Sequence, residues 1–150
     1  MVVSATFAFL HFLAVFGIVA TIFLEWQTMS RHPTHAEARR IQLCDRWYGI
    51  FAVIVLIVGF LRVYYFEKGS AFYSGNPFFR AKLTLFIVVG LLSIYPTIRF
   101  IRWRPQMRQG AAPVVGEAEY GRVMFALRAE LVLLLGMALC ASLMARGVGF

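Results

Sequence analysis

Polar surface is what this chain has least of. Of its 150 residues, 61% are hydrophobic and 15% charged, where a soluble domain carries about 45–50% apolar residues. Too little polar area remains to coat a water-facing globule, so a bilayer is the solvent this composition suits. Acid is scarcer still, with seven Asp and Glu against fifteen Lys and Arg, a net charge of +8. In a soluble protein that imbalance would suggest nucleic acid. Here each basic run abuts an apolar span, and no aromatic-plus-basic platform accompanies it. Anionic lipid head groups are therefore the expected partner, and nucleic acid is not. Cysteine is nearly absent. Cys44 falls in a basic loop and Cys140 deep in an apolar span, so no disulfide between them is expected. Missing too are a phosphate loop, zinc-ligand spacing, a nucleophile–base pair and paired catalytic carboxylates.

What is present is four long apolar segments, at about 3–26, 47–66, 78–101 and 123–145. Each approaches the roughly 20 residues that a helix needs to cross a hydrocarbon core of about 30 Å. No ten-residue alternation suggests a barrel, and only helices satisfy their own backbone groups in lipid. The first segment has no Lys or Arg before it and no small-x-small site closing it, so a permanent helix is expected rather than a cleaved signal. The expectation is an all-α integral membrane protein: a single domain over 1–150, built as an up-down bundle of four transmembrane helices.

Basic residues give its direction. Arg31, Arg39, Arg40 and Arg46 lie between the first two segments, and Arg99, Arg102, Arg104, Arg108 and Arg122 between the last two. The positive-inside rule puts both stretches in the cytoplasm and both termini on the periplasmic side of a bacterial inner membrane. Trp26, Trp47 and Trp103 all fall at the cytoplasmic helix ends, as an interfacial belt would. Tyr64, Tyr65, Phe66, Tyr73, Phe78 and Phe79 mark the outer boundary. Asn76-Pro77 supplies a cap and an N1 proline for the third helix, and Pro96 predicts a kink near its inner end. Gly17, Gly59, Gly90 and Gly136 lie where small residues let helices approach. The Gly- and Pro-bearing third loop has linker chemistry and is expected to be the most mobile part.

Ionisable groups inside spans mark function by default. They fall in two layers. The outer one holds Arg62 and Lys82, each roughly 6 Å inside its boundary, and His11, roughly 12 Å in. Arg62 and Lys82 either snorkel to the head groups or clamp a carboxylate-bearing amphiphile. His11 either bonds a neighbouring carbonyl or ligates haem iron. No second histidine lies in a span, which excludes bis-histidine ligation within one chain. Met137, Cys140 and Met144 share a face of the fourth helix at i, i+3 and i+7. They either pack, or join His11 in holding Cu(I), and Met137 alone could be a sixth haem ligand. The inner layer holds Glu25, Asp45, Tyr48, Tyr95, Arg99, Arg128 and Glu130. Glu130 is deepest and should be paired or protonated, with Arg99 the expected partner because Arg128, two residues away, faces elsewhere. The layer reads as an ion network fixing helix register or as a proton relay.

Asp45-Arg-Trp-Tyr-Gly, Gly59-Phe-Leu-Arg-Val, Lys68-Gly-Ser-Ala-Phe-Tyr, Asn76-Pro-Phe-Phe-Arg-Ala-Lys-Leu, Leu91-Leu-Ser-Ile-Tyr-Pro-Thr and Arg128-Ala-Glu-Leu together resemble the DUF2214 family of bacterial membrane proteins. More faintly, a first-helix histidine with Ala81-Lys82-Leu83 opening the third helix is similar to the HemJ-type and CopD-like four-helix membrane proteins. That likeness implies haem b held by His11, with Lys82 near the porphyrin. HemJ-type proteins usually carry a histidine just before that lysine and a Tyr-His near the third helix's end. This chain has Phe79-Arg-Ala-Lys82 and Tyr95-Pro96 instead, so fold and haem binding carry over but oxidase activity does not. Three functions follow: a haem- or porphyrin-binding redox protein using His11; a non-enzymatic structural or assembly subunit of a membrane complex; or a copper-handling protein. A homodimer or larger complex is expected for a bundle this small.

Overall fold

A computed structural model describes residues 2–66 and 75–148. Its elements are α1 (Val2–Thr28), α2 (His35–Leu61) continued by a π-helical turn (Arg62–Phe66), α3 (Pro77–Arg102), the short α4 (Arg104–Arg108) and α5 (Glu117–Ala145). The four long helices are each long and apolar enough to cross a membrane. Lys68 and Tyr73 of the sequence motifs lie outside the described residues, as does the side chain of Phe66.

Helix starts follow their caps. The Thr34 hydroxyl accepts from the Glu37 amide at 3.2 Å while the Glu37 carboxylate accepts from the Thr34 amide at 2.8 Å, a complete capping box. That box starts α2 at His35, well before the expected position 47. Its first turns run ahead of the apolar segment, so Arg39, Arg40 and Arg46 are helical and Cys44 is a buried helix residue rather than a loop one. At α3 the Asn76 side-chain oxygen accepts from Phe78 and Phe79 at 2.9 and 3.3 Å, and Pro77 takes the first helical position. The Asn76 amide also donates to the Val148 carbonyl at 3.2 Å, tying the start of α3 to the end of α5.

α1 packs mainly on α2 and α3 mainly on α5; α1–α5 contact joins the two pairs, with a lighter α2–α3 contact. The core is tightest at the Arg-rich end, where Ile22, Ala38, Ile41, Phe100, Val123 and Leu127 are sealed from the surroundings. Outward, Phe9, Phe16, Phe125 and Leu135 are widely exposed, a surface suited to acyl chains. Among the glycines, Gly17 meets Phe51, Gly59 meets His11 and Gly136 meets Leu85, whereas Gly90 faces open space.

The tryptophans do not form one belt. Trp47 is exposed, but Trp103 is only 4% exposed, and its indole donates to a Glu119 carboxylate oxygen at 3.2 Å. The chain folds back beneath α3 there, and that return covers the ring. The third loop is anchored at several points: His35 Nε2 lies 3.1 Å from the Met107 carbonyl, the Val114 amide donates to Gln106 at 3.3 Å, and Pro113 is buried.

Candidate functional site: two polar layers

The outer layer is built mainly at the α1–α2 contact. His11 is half-buried on α1, and its imidazole lies over Gly59 of α2. A Cβ there would sit 3.5 Å from the ring's Cε1 and 3.8 Å from Nδ1, ordinary van der Waals contact, so the ring and this turn of α2 are close neighbours. Arg62 follows directly on α2, with its guanidinium carbon 5.9 Å from the centre of the Phe12 ring. That is cation–π range, and it draws the charge along α1 beside His11. Lys82 on α3 holds its Nζ 5.5 Å from the Phe79 ring, about one turn back on its own helix. Met137, Cys140 and Met144 are half-buried on α5.

The inner layer is the more concentrated of the two. Glu25 on α1 is 3% exposed and Glu130 on α5 is 1% exposed. Both lie within electrostatic reach of each other and of Asp45 on α2. Asp45 accepts a hydrogen bond from the Thr97 hydroxyl of α3, and Tyr48 on α2 meets Ser93 of α3 and faces all three carboxylates. Four helices thus converge on one cluster. Among the described residues, one oxygen each of Glu25 and Glu130, the Trp26 indole nitrogen and the Tyr95 hydroxyl are buried without a hydrogen-bond partner.

The expected cations are elsewhere. Arg99 lies over the Tyr95 ring, 5.3 Å from its centre, and Arg128 is exposed on the outer face of α5. No ion pair joins either to Glu130 or Asp45; an ion pair is found instead between exposed Arg31 and Glu117, at 3.5 Å. Among the described residues the carboxyl groups meet hydroxyls instead, and the cation whose charge acts on Asp45 is Arg104. For Arg128 the reason is helical phase. Glu130 points into the bundle, and Arg128, 200° away around an α-helix, cannot follow it. Thr97 was not legible as a member from residue type. Its spacing of four from Ser93 puts both hydroxyls on the α3 face that meets α2, and that spacing is the signal that could have found it.

Such a layer can hold protons or water, since carboxyl, hydroxyl and indole groups together offer both donors and acceptors. Among the described residues, no group of three His, Cys, Asp or Glu side chains is arranged to hold a metal ion.

Comparison with known proteins bears on the whole chain. No curated protein and no solved structure matches it. The family described as "Predicted membrane protein (DUF2214)" matches residues 3–149, and the chain belongs to that family.

Proposed function

We propose that this protein binds protons in the half of the bilayer next to its Arg-rich end, through Glu25, Asp45 and Glu130, and that this cluster is the seat of its activity. One observation carries the reading: two almost fully buried carboxyl groups, each with an oxygen that has no hydrogen-bond partner, lie within electrostatic reach of each other and of Asp45, and neither forms an ion pair with Arg99 or Arg128. Three ionised carboxylates in a low-dielectric interior repel one another and lose their hydration, a cost that a proton or a cation removes. Tyr48, Ser93 and Thr97 supply hydroxyls along which a proton or water can be passed. Positive-inside logic places this end in the cytoplasm of a bacterial inner-membrane protein. The test is infrared difference spectroscopy of the carboxyl C=O stretch in nanodiscs, titrated with pH. Wild type should show a titrating carboxyl band that Glu25→Gln and Glu130→Gln each diminish. A band unchanged in both variants, with helical content retained, would overturn the reading.

A second reading rests on the outer layer. His11 is the one histidine in an apolar span, and its imidazole lies over Gly59, three residues before Arg62. That donor set suits a b-type haem. His11 would hold the iron, Arg62 and Lys82 would meet the propionates, and Met137 is a further residue that would help hold the group. Haem bound there would supply one-electron redox chemistry, while these residues bind it, orient it and neutralise its carboxylates. Purified protein from haem-replete cells should then show a Soret band that His11→Ala removes; a colourless preparation would refute it. Copper bound by His11 with Met137, Cys140 and Met144 would emerge in metal analysis of the same preparation.

A further inference from the structure

The wall of the bundle between α3 and α5 carries a further feature, which shares Tyr95 with the inner layer but opens outward. An open groove of about 370 Å³ runs between Leu91, Leu92 and Tyr95 of α3 and Gly121, Arg122, Phe125 and Ala126 of α5. A second hollow of about 300 Å³ shares Phe125 and is bordered by Arg128 and Val132. Its floor is apolar and it opens on the face that meets the bilayer, where Phe125 is 69% and Leu91 63% exposed. Gly121 borders it, and a Cβ there would meet nothing within 4 Å, so the space beside it is unfilled.

Arg122 and Arg128 are both exposed, and neither makes an ion pair or a hydrogen bond within the described chain. They stand roughly 9 Å apart along α5 at helical rise. Arg128 lies about five residues inside the apolar segment, roughly 8 Å deep, on the outer face of the helix. An unpaired guanidinium at that depth is costly unless an anion comes to it. In a bilayer the anion always present is a lipid phosphate, whose oxygens match the guanidinium fork. A second copy of the chain would have to bring an acid to this face. The chain has only seven: Glu25 and Glu130 are buried, Asp45 accepts from Thr97, Glu37, Glu117 and Glu119 are engaged in a cap, an ion pair and the Trp103 bond, and Glu67 lies outside the described residues.

We propose that the α3–α5 groove is a binding site for an anionic phospholipid of the surrounding bilayer, its head group held by Arg122 and Arg128 beside Gly121 and one acyl chain laid along Phe125 toward Leu91. Basic pockets between spanning helices are suited to such head groups. A charge-assisted bidentate contact is strong enough that losing it should cost about tenfold in binding.

Native mass spectrometry of the full chain, released from micelles doped with equal phosphatidylglycerol and phosphatidylcholine, tests this. Both lipids carry a phosphate but only the first is anionic overall. Wild type should retain phosphatidylglycerol preferentially. Arg122→Gln and Arg128→Gln should each reduce that adduct about tenfold, and Arg80→Gln, on the opposite end of α3, should leave it unchanged. Gly121→Leu fills the groove without altering charge and should also reduce it. Equal retention of the two lipids, or adducts preserved in the Arg122→Gln/Arg128→Gln double variant, would overturn the proposal. So would a Phe125→Cys variant that cross-links to a second copy in native membranes, because that face would then be protein-covered.

Discussion

The sharpest structural prediction concerns Gly17, where the Phe51 side chain of α2 lies directly against α1. A Cβ at this position would lie 2.5 Å from Cδ2 and Cε2 of Phe51 and 2.7 Å from Cγ, so the clash is with the body of the ring rather than its tip. Carbon–carbon contacts are comfortable at about 3.5–4.0 Å, so the ring or the helix must retreat by about 1 Å. Trp47 lies beside the ring, with centroids 5.8 Å apart, and restricts one direction in which it could swing. Overpacking of this kind costs about 1–3 kcal/mol. Gly→Ala also improves helix propensity by roughly 0.5–1 kcal/mol, which would mask part of the loss. Gly90→Ala supplies the correction. It makes the same change inside a span where the new Cβ meets nothing within 4 Å. In reversible unfolding in mixed micelles, Gly17→Ala should therefore fall below Gly90→Ala by about 1–3 kcal/mol. Adding Phe51→Leu should recover much of the difference, since it removes the ring carbons that clash. Equal stabilities for the two alanine variants, or no recovery with Phe51→Leu, would refute the close-approach reading.

Two further predictions test the ends of the bundle. Trp103→Phe keeps most of the buried ring but loses its bond to Glu119. It should cost about 1–3 kcal/mol by the same unfolding assay, as expected for a hydrogen bond to a charged acceptor; Glu119→Gln should be milder. Asn76→Ala removes both the α3 cap and the tie to Val148. A loss of about 1 kcal/mol or somewhat more is expected, with faster amide exchange in the first turn of α3 as the local signature.

Much of the architecture was legible because bilayer physics leaves few options. Four apolar segments of spanning length can only be helices, and Asn76-Pro77 announced the start of α3 by its own chemistry. The start of α2 was misplaced because hydropathy marks where lipid begins, whereas Thr34 and Glu37 mark where the helix begins. The acids of the inner layer were found by depth, but their partners were not. Depth is a one-dimensional coordinate, and pairing depends on rotation about each helix axis. Arg99 and Glu130 belong to one layer, yet Arg99 turns to the Tyr95 ring. Trp103 failed for a related reason: its position predicts an interface, but only the return of the chain through α4 to Glu119 decides that it is covered.

The two layers are mechanically linked, because both hang on the same helix pair. Gly17 lies six residues from His11 and eight from Glu25, roughly 9 and 12 Å along α1. The α1–α2 separation set at Gly17 and Phe51 therefore governs how His11 meets Gly59 above and how Glu25 faces Asp45 below. Forcing the helices apart should disturb both layers, whereas Asn76→Ala, acting on α3 and α5, should leave the α1–α2 geometry intact. The infrared carboxyl band offers the measurement. Gly17→Ala should shift or broaden it, and Phe51→Leu in the same chain should restore it. A carboxyl band indifferent to Gly17→Ala, in a variant shown to be destabilised, would mean that the inner cluster is held by α2, α3 and α5 without help from the α1 contact.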